Sequence, residues 1–179
     1  MLKLEKVNKT IQMFRDYVIK EAKDNLNRSK HNNSGSLANS IKGEIVTEDN
    51  YTIVGFKMND YGTFVDLGVK GKTSSNKAPD SPYKFGSGTG RKGGLTQGIN
   101  QWVKQKGFQF RDRKSGRFLS YDSTAYLITR SIFNKGIKPS LFFTKPFEAG
   151  YRKYIDTDLI KAFSQDIDTI IDYNLKDIK

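Results

Sequence analysis

The stretch from Val69 to Phe118 limits what this chain can fold into. It carries twelve basic residues against two acidic ones, Asp80 and Asp112. Within it runs a glycine tract, Gly86-Ser87-Gly88-Thr89-Gly90-Arg91-Lys92-Gly93-Gly94. A cationic arm of this kind cannot build a core for itself. The flanks must supply the core, and the arm must lie against something polyanionic or acidic.

The flanks do carry apolar periods. Leu4, Val7, Ile11, Phe14, Val18, Ala22 and Leu26 recur at three- and four-residue steps, which predicts a long amphipathic helix. The polar run Asn27 to Gly35 ends it. Ser36 to Ile41 reads as a short helical turn. Ile41, Ile45 and Val46 lead into a hairpin that turns at Glu48-Asp49-Asn50 and returns through Tyr51, Ile53, Val54 and Phe56. Tyr61 to Val69, with Phe64, Val65 and Leu67, reads as a third strand. The first helix is the expected cover for the apolar face of that sheet.

Lys70 to Gly98 is a long loop, and loops of that length are usually functional or disordered. Leu95 to Gly107 predicts a helix with Thr96 as N-cap, Ile99, Trp102 and Val103 on its apolar face, Trp102 among them as a core residue, and Gly107 as the stop. Arg111 to Arg117 is a basic turn around Gly116. Asp122 or Ser123 is expected to cap a helix through Ala125, Leu127, Ile128, Ile132 and Phe133, ended by Gly136. The last helix is expected from about Thr157, with Leu159, Ile160, Phe163, Ile167, Ile170, Ile171, Leu175 and Ile178 at helical spacing. The whole reads as one α+β domain spanning 1–179, with an extended basic loop at 69–98 inside it. Its small antiparallel sheet packs against the long N-terminal helix and the C-terminal helices.

Apolar residues make up 36% of the chain, low for a self-sufficient globule. Part of the apolar surface is therefore expected to be completed by a partner or by copies of the chain itself. The net charge is +12, concentrated in the middle, while Glu148 to Lys179 is mildly acidic. One end of the protein can attract the other across an oligomer interface. There is no cysteine, so disulfides and thiolate metal sites are excluded. No apolar run reaches the ~20 residues of a membrane span, and the N-terminal residues lack the apolar segment of a secretory leader.

No catalytic constellation is legible, and the chain is not expected to be an enzyme or to hold a cofactor or metal. The single histidine, His31, sits in a polar loop and reads as a surface residue. Asp60 and Asp66 could bind a divalent cation at a strand end, but read more simply as solvated turn carboxylates. Gly88-Thr89-Gly90-Arg91-Lys92-Gly93 matches G-x-G-x-x-G, yet a polar loop precedes it where a buried strand is required. It reads as a flexible cationic loop, free or ordered by a partner. The stronger rival is nucleic acid. Tyr83, Phe85, Trp102, Phe108, Phe110 and Phe118 interleave with the cations, a pattern compatible with stacking plus phosphate contact. A cytoplasmic accessory protein that binds nucleic acid without regard to sequence is thus the alternative function. The candidate contact residues, for DNA or for a protein partner, are Lys70, Lys72, Lys77, Lys84, Arg91, Lys92, Arg111, Arg113, Lys114 and Arg117.

The order of segments resembles the tail-completion or head–tail joining (neck) proteins of tailed bacteriophages. An N-terminal amphipathic helix is followed by Ser34-Gly35-Ser36-Leu37-Ala38-Asn39-Ser40-Ile41, similar to a G-x-L-x-x-S-I approach to the first strand. Tyr61-Gly62-Thr63-Phe64-Val65-Asp66-Leu67-Gly68 is similar to a Y-x-x-x-V-E-x-G strand, with Asp66 in place of Glu. Ile99 to Gly107 is similar to an I-x-x-W-V-x-x-K-G helix. Ile128 to Gly136, followed by Pro139 to Tyr151, resembles the family's closing segment. Each motif is weak alone, and their order and spacing carry the likeness. The resemblance implies a bent sheet packed on helices, in subunits that form a homo-oligomeric ring at the portal–tail junction of the virion. Such rings are assembled in the bacterial cytoplasm. They seal the genome channel and dock the tail. The implied partners are copies of the chain, portal or adaptor proteins and tail proteins, with no membrane. The basic loop would face either packaged DNA in the lumen or a neighbouring ring.

Overall fold

The structure, a computed structural model, describes residues 4–29, 35–48, 51–87 and 94–176, with side chains to residue 173. Its helices and strands form an α+β fold, as the sequence predicts. It divides into two compact units, Met1–Gly62 with Leu141–Lys179, and Thr63–Ser140.

The first unit is organised by α1, Glu5–Arg28, whose buried face is Thr10, Ile11, Phe14, Val18, Ala22 and Leu26. This is the predicted stripe, and a stripe of that width must be covered. α2, Ser36–Ser40, leads into β1, Lys42–Thr47, which pairs antiparallel with β2, Thr52–Lys57. The register sets Thr47 opposite Thr52 at the end of the hairpin, and of the expected turn residues Asp49 and Asn50 lie outside the described residues. The hairpin lies on α1 at Gly43, where an added Cβ would stand 2.6 Å from Arg15 Cγ. α6, Thr144–Gly150, runs on through a π-helical segment, Tyr151–Asp158, into α7, Leu159–Lys176. This corrects the expected start near Thr157. Pro146 falls in the first turn of α6, where a missing N–H costs little. The π segment inserts extra backbone and shifts the apolar phase, so no single 3.6-residue period runs through it.

Phe14 sits at the centre of this unit. Its ring meets Phe56, Phe147 and Tyr151 edge-on at 6.0, 5.7 and 6.5 Å. Such pairs add to the area they bury.

The second unit begins with a correction. Tyr61 to Val69 is not a third strand. Gly62–Leu67 forms a helical turn, α3, and only Val69–Lys70, β3, is extended. Gly68, at φ 71, supplies the left-handed residue that stops a helix. Ser140 closes the end of α3 by donating from its amide and its hydroxyl to the Val65 carbonyl, at 3.1 and 2.7 Å. β3 pairs antiparallel with β4, Gly136–Ile137. The described residues therefore hold two two-stranded sheets.

α4, Gly94–Lys106, packs on α5, Tyr121–Lys135. α4 begins two residues before the expected cap Thr96, and Gly107 at φ 62 ends it as predicted. Its buried residue is Val103, whereas Trp102 stays 37% exposed, contrary to the core role expected for it. Ser120, not Asp122 or Ser123, caps α5, accepting from the Ser123 amide at 3.1 Å.

Candidate interaction surface

The basic middle of the chain is not a free flap where the structure describes it. Residues 71–87 are tied down by their own backbone. The Lys70 amide donates to the Tyr83 carbonyl at 2.8 Å, and the Phe85 amide to the Lys70 carbonyl at 2.9 Å. Ser81, buried, donates to the Gly68 carbonyl at 2.7 Å and accepts from the Tyr83 amide at 3.1 Å.

The same loop caps α5. The last carbonyls of a helix have no partner inside it. Here the Lys72 amide donates to Phe133, the Thr73 hydroxyl to Asn134, and Lys77 Nζ to the Gly136 carbonyl, at 2.8, 3.0 and 3.3 Å. Cationic charge at that end also complements the helix dipole. Lys72 Nζ stands 5.9 Å from the centroid of the Phe133 ring. Of the candidate contact residues, Lys70, Lys72, Lys77 and Lys84 therefore gather around the C-terminal end of α5, and two of them have structural work there.

Arg111, Arg113, Lys114 and Arg117 stand at the other end. They lie on a narrow ribbon that turns through 112–116. The Asp112 amide donates to the Arg117 carbonyl at 2.9 Å, and the Leu119 amide to the Phe110 carbonyl at 2.8 Å. The Phe110 amide in turn donates to Thr124 Oγ1, on the first turn of α5, at 3.2 Å. Asp112 is spent inside the turn, where it accepts from the Ser115 amide at 2.7 Å, the Ser115 hydroxyl at 2.9 Å and the Lys114 amide at 3.1 Å. The Ser115 amide is the largest cause holding its carboxyl below the ordinary value, followed by the Ser115 hydroxyl. None of the four cations makes an ion pair with a described carboxylate.

α5 has 15 residues and is about 22 Å long, so the two basic groups are about 15–20 Å apart. Arg91 and Lys92, with the rest of the G-x-G-x-x-G match, lie outside the described residues, as does His31. Asp66 is buried on α3 and Asp60 lies in the preceding turn. Among the described residues no group of three or more His, Asp or Glu side chains gathers to hold a metal ion.

Aromatics accompany the ribbon. Trp102 lies 6.3 Å from Phe108, and Phe108 lies 5.2 Å from Phe110, centroid to centroid. The Arg111 guanidinium covers Phe118 at 4.5 Å. All four rings remain exposed, Phe118 at 60%. The alternation Phe108-Gln109-Phe110 beside an Arg-rich turn was the available sequence signal for this row.

A second exposed surface belongs to the first unit. α7 buries Ala162 and Asp166 and half-buries Leu159 and Ile170. Ile160, Phe163 and Ile171 form a further stripe around the helix, 68%, 52% and 49% exposed, with Ile167 half-buried between them. Asp168 and Asp172 flank it, exposed. On the hairpin, Val46, Tyr51 and Ile53 are also exposed. A groove of about 620 Å³ runs between α1 and β1, lined by Ile11, Arg15, Ile45 and Thr47 among others. Among the described residues no helix is long and apolar enough to cross a membrane.

Compared with described protein families, with curated proteins and with solved structures, the chain finds no match in any of them.

Proposed function

We propose that this chain is a structural subunit that assembles with copies of itself into a ring, and that the ring is a head–tail connector of a tailed bacteriophage. It would sit at the portal–tail junction, seal the genome channel and dock the tail. The observation that carries the reading is the second apolar stripe of α7. Ile160 and Phe163 are more than half exposed on a helix whose other stripe buries Ala162 and Asp166 and half-buries Leu159 and Ile170. Leaving such a stripe in water forgoes roughly 1.5–3 kcal/mol per large side chain relative to burial. A contiguous stripe of this kind marks an interaction surface.

The acidic residues beside the stripe and the lysines around the C-terminal end of α5 are opposite in sign. That suits a heterologous contact, in which one patch of a protomer meets a different patch of the next. Such contacts close into rings when the rotation allows it. The ordered set of neck-like motifs supplies the place in the particle, and it rests on sequence likeness alone. One of its four segments, Tyr61 to Gly68, is helical here rather than extended.

Electron microscopy of intact virions, with the chain traced in density, tests the reading. The expected result is a closed ring of this subunit between portal and tail. Absence from the particle, together with a monomeric state beside purified portals and tail tubes, would overturn it.

A further inference from the structure

The ribbon at the N-terminal end of α5 combines fixed cations with exposed rings, and a ring contact between copies does not by itself account for that. Arg113, Lys114 and Arg117 are exposed and face no described carboxylate. The one acid in the turn is satisfied by its own loop. The backbone is held at Thr124 and closed by Gly116 at φ 68, so the cations project from a pinned support. Phe110 and Phe118 lie beside them with accessible ring surface, 37% and 60% exposed.

We propose that this surface binds single-stranded nucleic acid. Arg113, Lys114 and Arg117 would take the phosphates, and Phe110 and the Arg111–Phe118 pair would stack on bases. Every base has a π-face, so stacking of this kind does not depend on sequence, and cations along the backbone supply the affinity. Arginine serves both roles because its planar guanidinium pairs with phosphate oxygens and also lies flat on rings. A duplex would use the cations but leave the rings in water, since its base faces are already stacked. The lysines at the far end of α5 also have rings nearby, with Phe85 5.8 Å from Phe133 and Phe64 4.6 Å from Tyr83, but Tyr83, Phe85 and Phe133 are half-buried and Lys77 is committed to capping that helix. The proposal stands whether or not the chain forms a ring.

Fluorescence anisotropy of the full chain tests it, using a labelled oligothymidylate of about 16 nucleotides, within the range of known single-strand sites, and a duplex of equal length. The single strand is expected to bind more tightly than the duplex. Three phosphate contacts predict a slope of about −2 for log affinity against log salt. Joint replacement Phe110→Ala and Phe118→Ala should weaken single-strand binding about tenfold or more. Joint replacement Arg113→Gln, Lys114→Gln and Arg117→Gln should flatten the salt slope, while Lys72→Gln with Lys84→Gln should change affinity by less than about twofold. Circular dichroism must show the helical signal of each variant intact, and a variant that fails this is replaced by its single substitutions. The proposal is overturned by no binding at low salt, by equal duplex binding that ignores the phenylalanines, or by loss of binding through the Lys72 and Lys84 changes. Displacement of the strand by polyglutamate at equal charge concentration would also overturn it and point to an acidic protein instead.

Discussion

The buried carboxylate of Asp166, on α7, accepts a hydrogen bond from the Val7 amide, in the first turn of α1, at 3.0 Å. Its other oxygen accepts from the Lys6 amide at 3.2 Å. One side chain thus satisfies two of the donors that an α-helix leaves open at its start, and it places negative charge at the positive end of the dipole. The contact joins residues 159 positions apart in sequence and fixes the two long helices of the first unit to each other.

Replacing Asp166 should therefore destabilise the first unit. Asp166→Ala leaves two donors without their acceptor and should cost about 1–3 kcal/mol, with Asp166→Asn milder because one acceptor oxygen remains. Urea denaturation measures the loss. Hydrogen exchange should show the Lys6 and Val7 amides losing protection, while the ribbon amides of the second unit keep theirs. Unchanged protection at Lys6 and Val7 would contradict the contact.

Phe14→Ala should be more damaging. The ring is 3% exposed and meets three other aromatics, so its removal leaves a cavity that neighbouring rings cannot readily fill. The expected cost is about 3–5 kcal/mol, read from the midpoint of chemical unfolding.

The second unit depends on glycines at the β3–β4 crossing. Gly136 has φ 82 and ψ −179, a region that side chains almost never enter, and a Cβ there would stand 2.3 Å from the Val69 carbonyl oxygen. A Cβ on Gly71 would stand 2.0 Å from the Asn134 carbonyl oxygen. Gly136→Ala should cost about 1–3 kcal/mol or more, and Gly71→Ala should loosen the cap on α5. Gly98→Ala, on α4 with open space around it, serves as the control and should be neutral or stabilising. Thermal unfolding of the three variants ranks them.

How much of this was legible beforehand varies by element. α1 was readable almost residue by residue, because its stripe is long and unbroken. The pairing of β1 with β2 was readable from the apolar residues on either side of the acidic–Asn run. α3 was not, since Phe64, Val65 and Leu67 form too short an apolar run for periodicity to tell helix from strand, and the deciding residue, Gly68, acts through backbone geometry. The joined C-terminal helices were missed because the π segment between Tyr151 and Asp158 breaks the period. The loop at 71–87 read as unstructured since backbone hydrogen bonds leave no trace in composition. The cations were found, but their division between the two ends of α5 needed the fold. Ile99, Trp102 and Val103 were placed together on the core face of α4; Val103 is buried and Ile99 half-buried, while Trp102, at the edge of a narrow apolar face, stays exposed.

The ribbon turn carries a pH dependence of definite sign. Asp112 has its carboxyl lowered from 3.8 by the Ser115 and Lys114 donors, so the folded turn favours the ionised form. The contribution is fully present above 3.8 and is lost as pH falls through the depressed value. Carboxyl NMR should place the Asp112 midpoint below 3.8, with the Ser115 amide losing protection in the same range. A midpoint at or above 3.8 contradicts the turn geometry.

The stripe on α7 bears most directly on assembly. Ile160→Asp with Phe163→Asp places two charges on a surface that the account assigns to neighbouring copies. Both side chains are more than half exposed, so the variant should keep its fold, which circular dichroism checks. Sedimentation velocity of the wild-type chain and of this variant is the decisive measurement. The account predicts a wild-type species of one fixed multiple of the protomer mass and a variant that sediments as a monomer. A wild-type chain that remains monomeric up to high concentration, or a variant that assembles as well as the wild type, would contradict it.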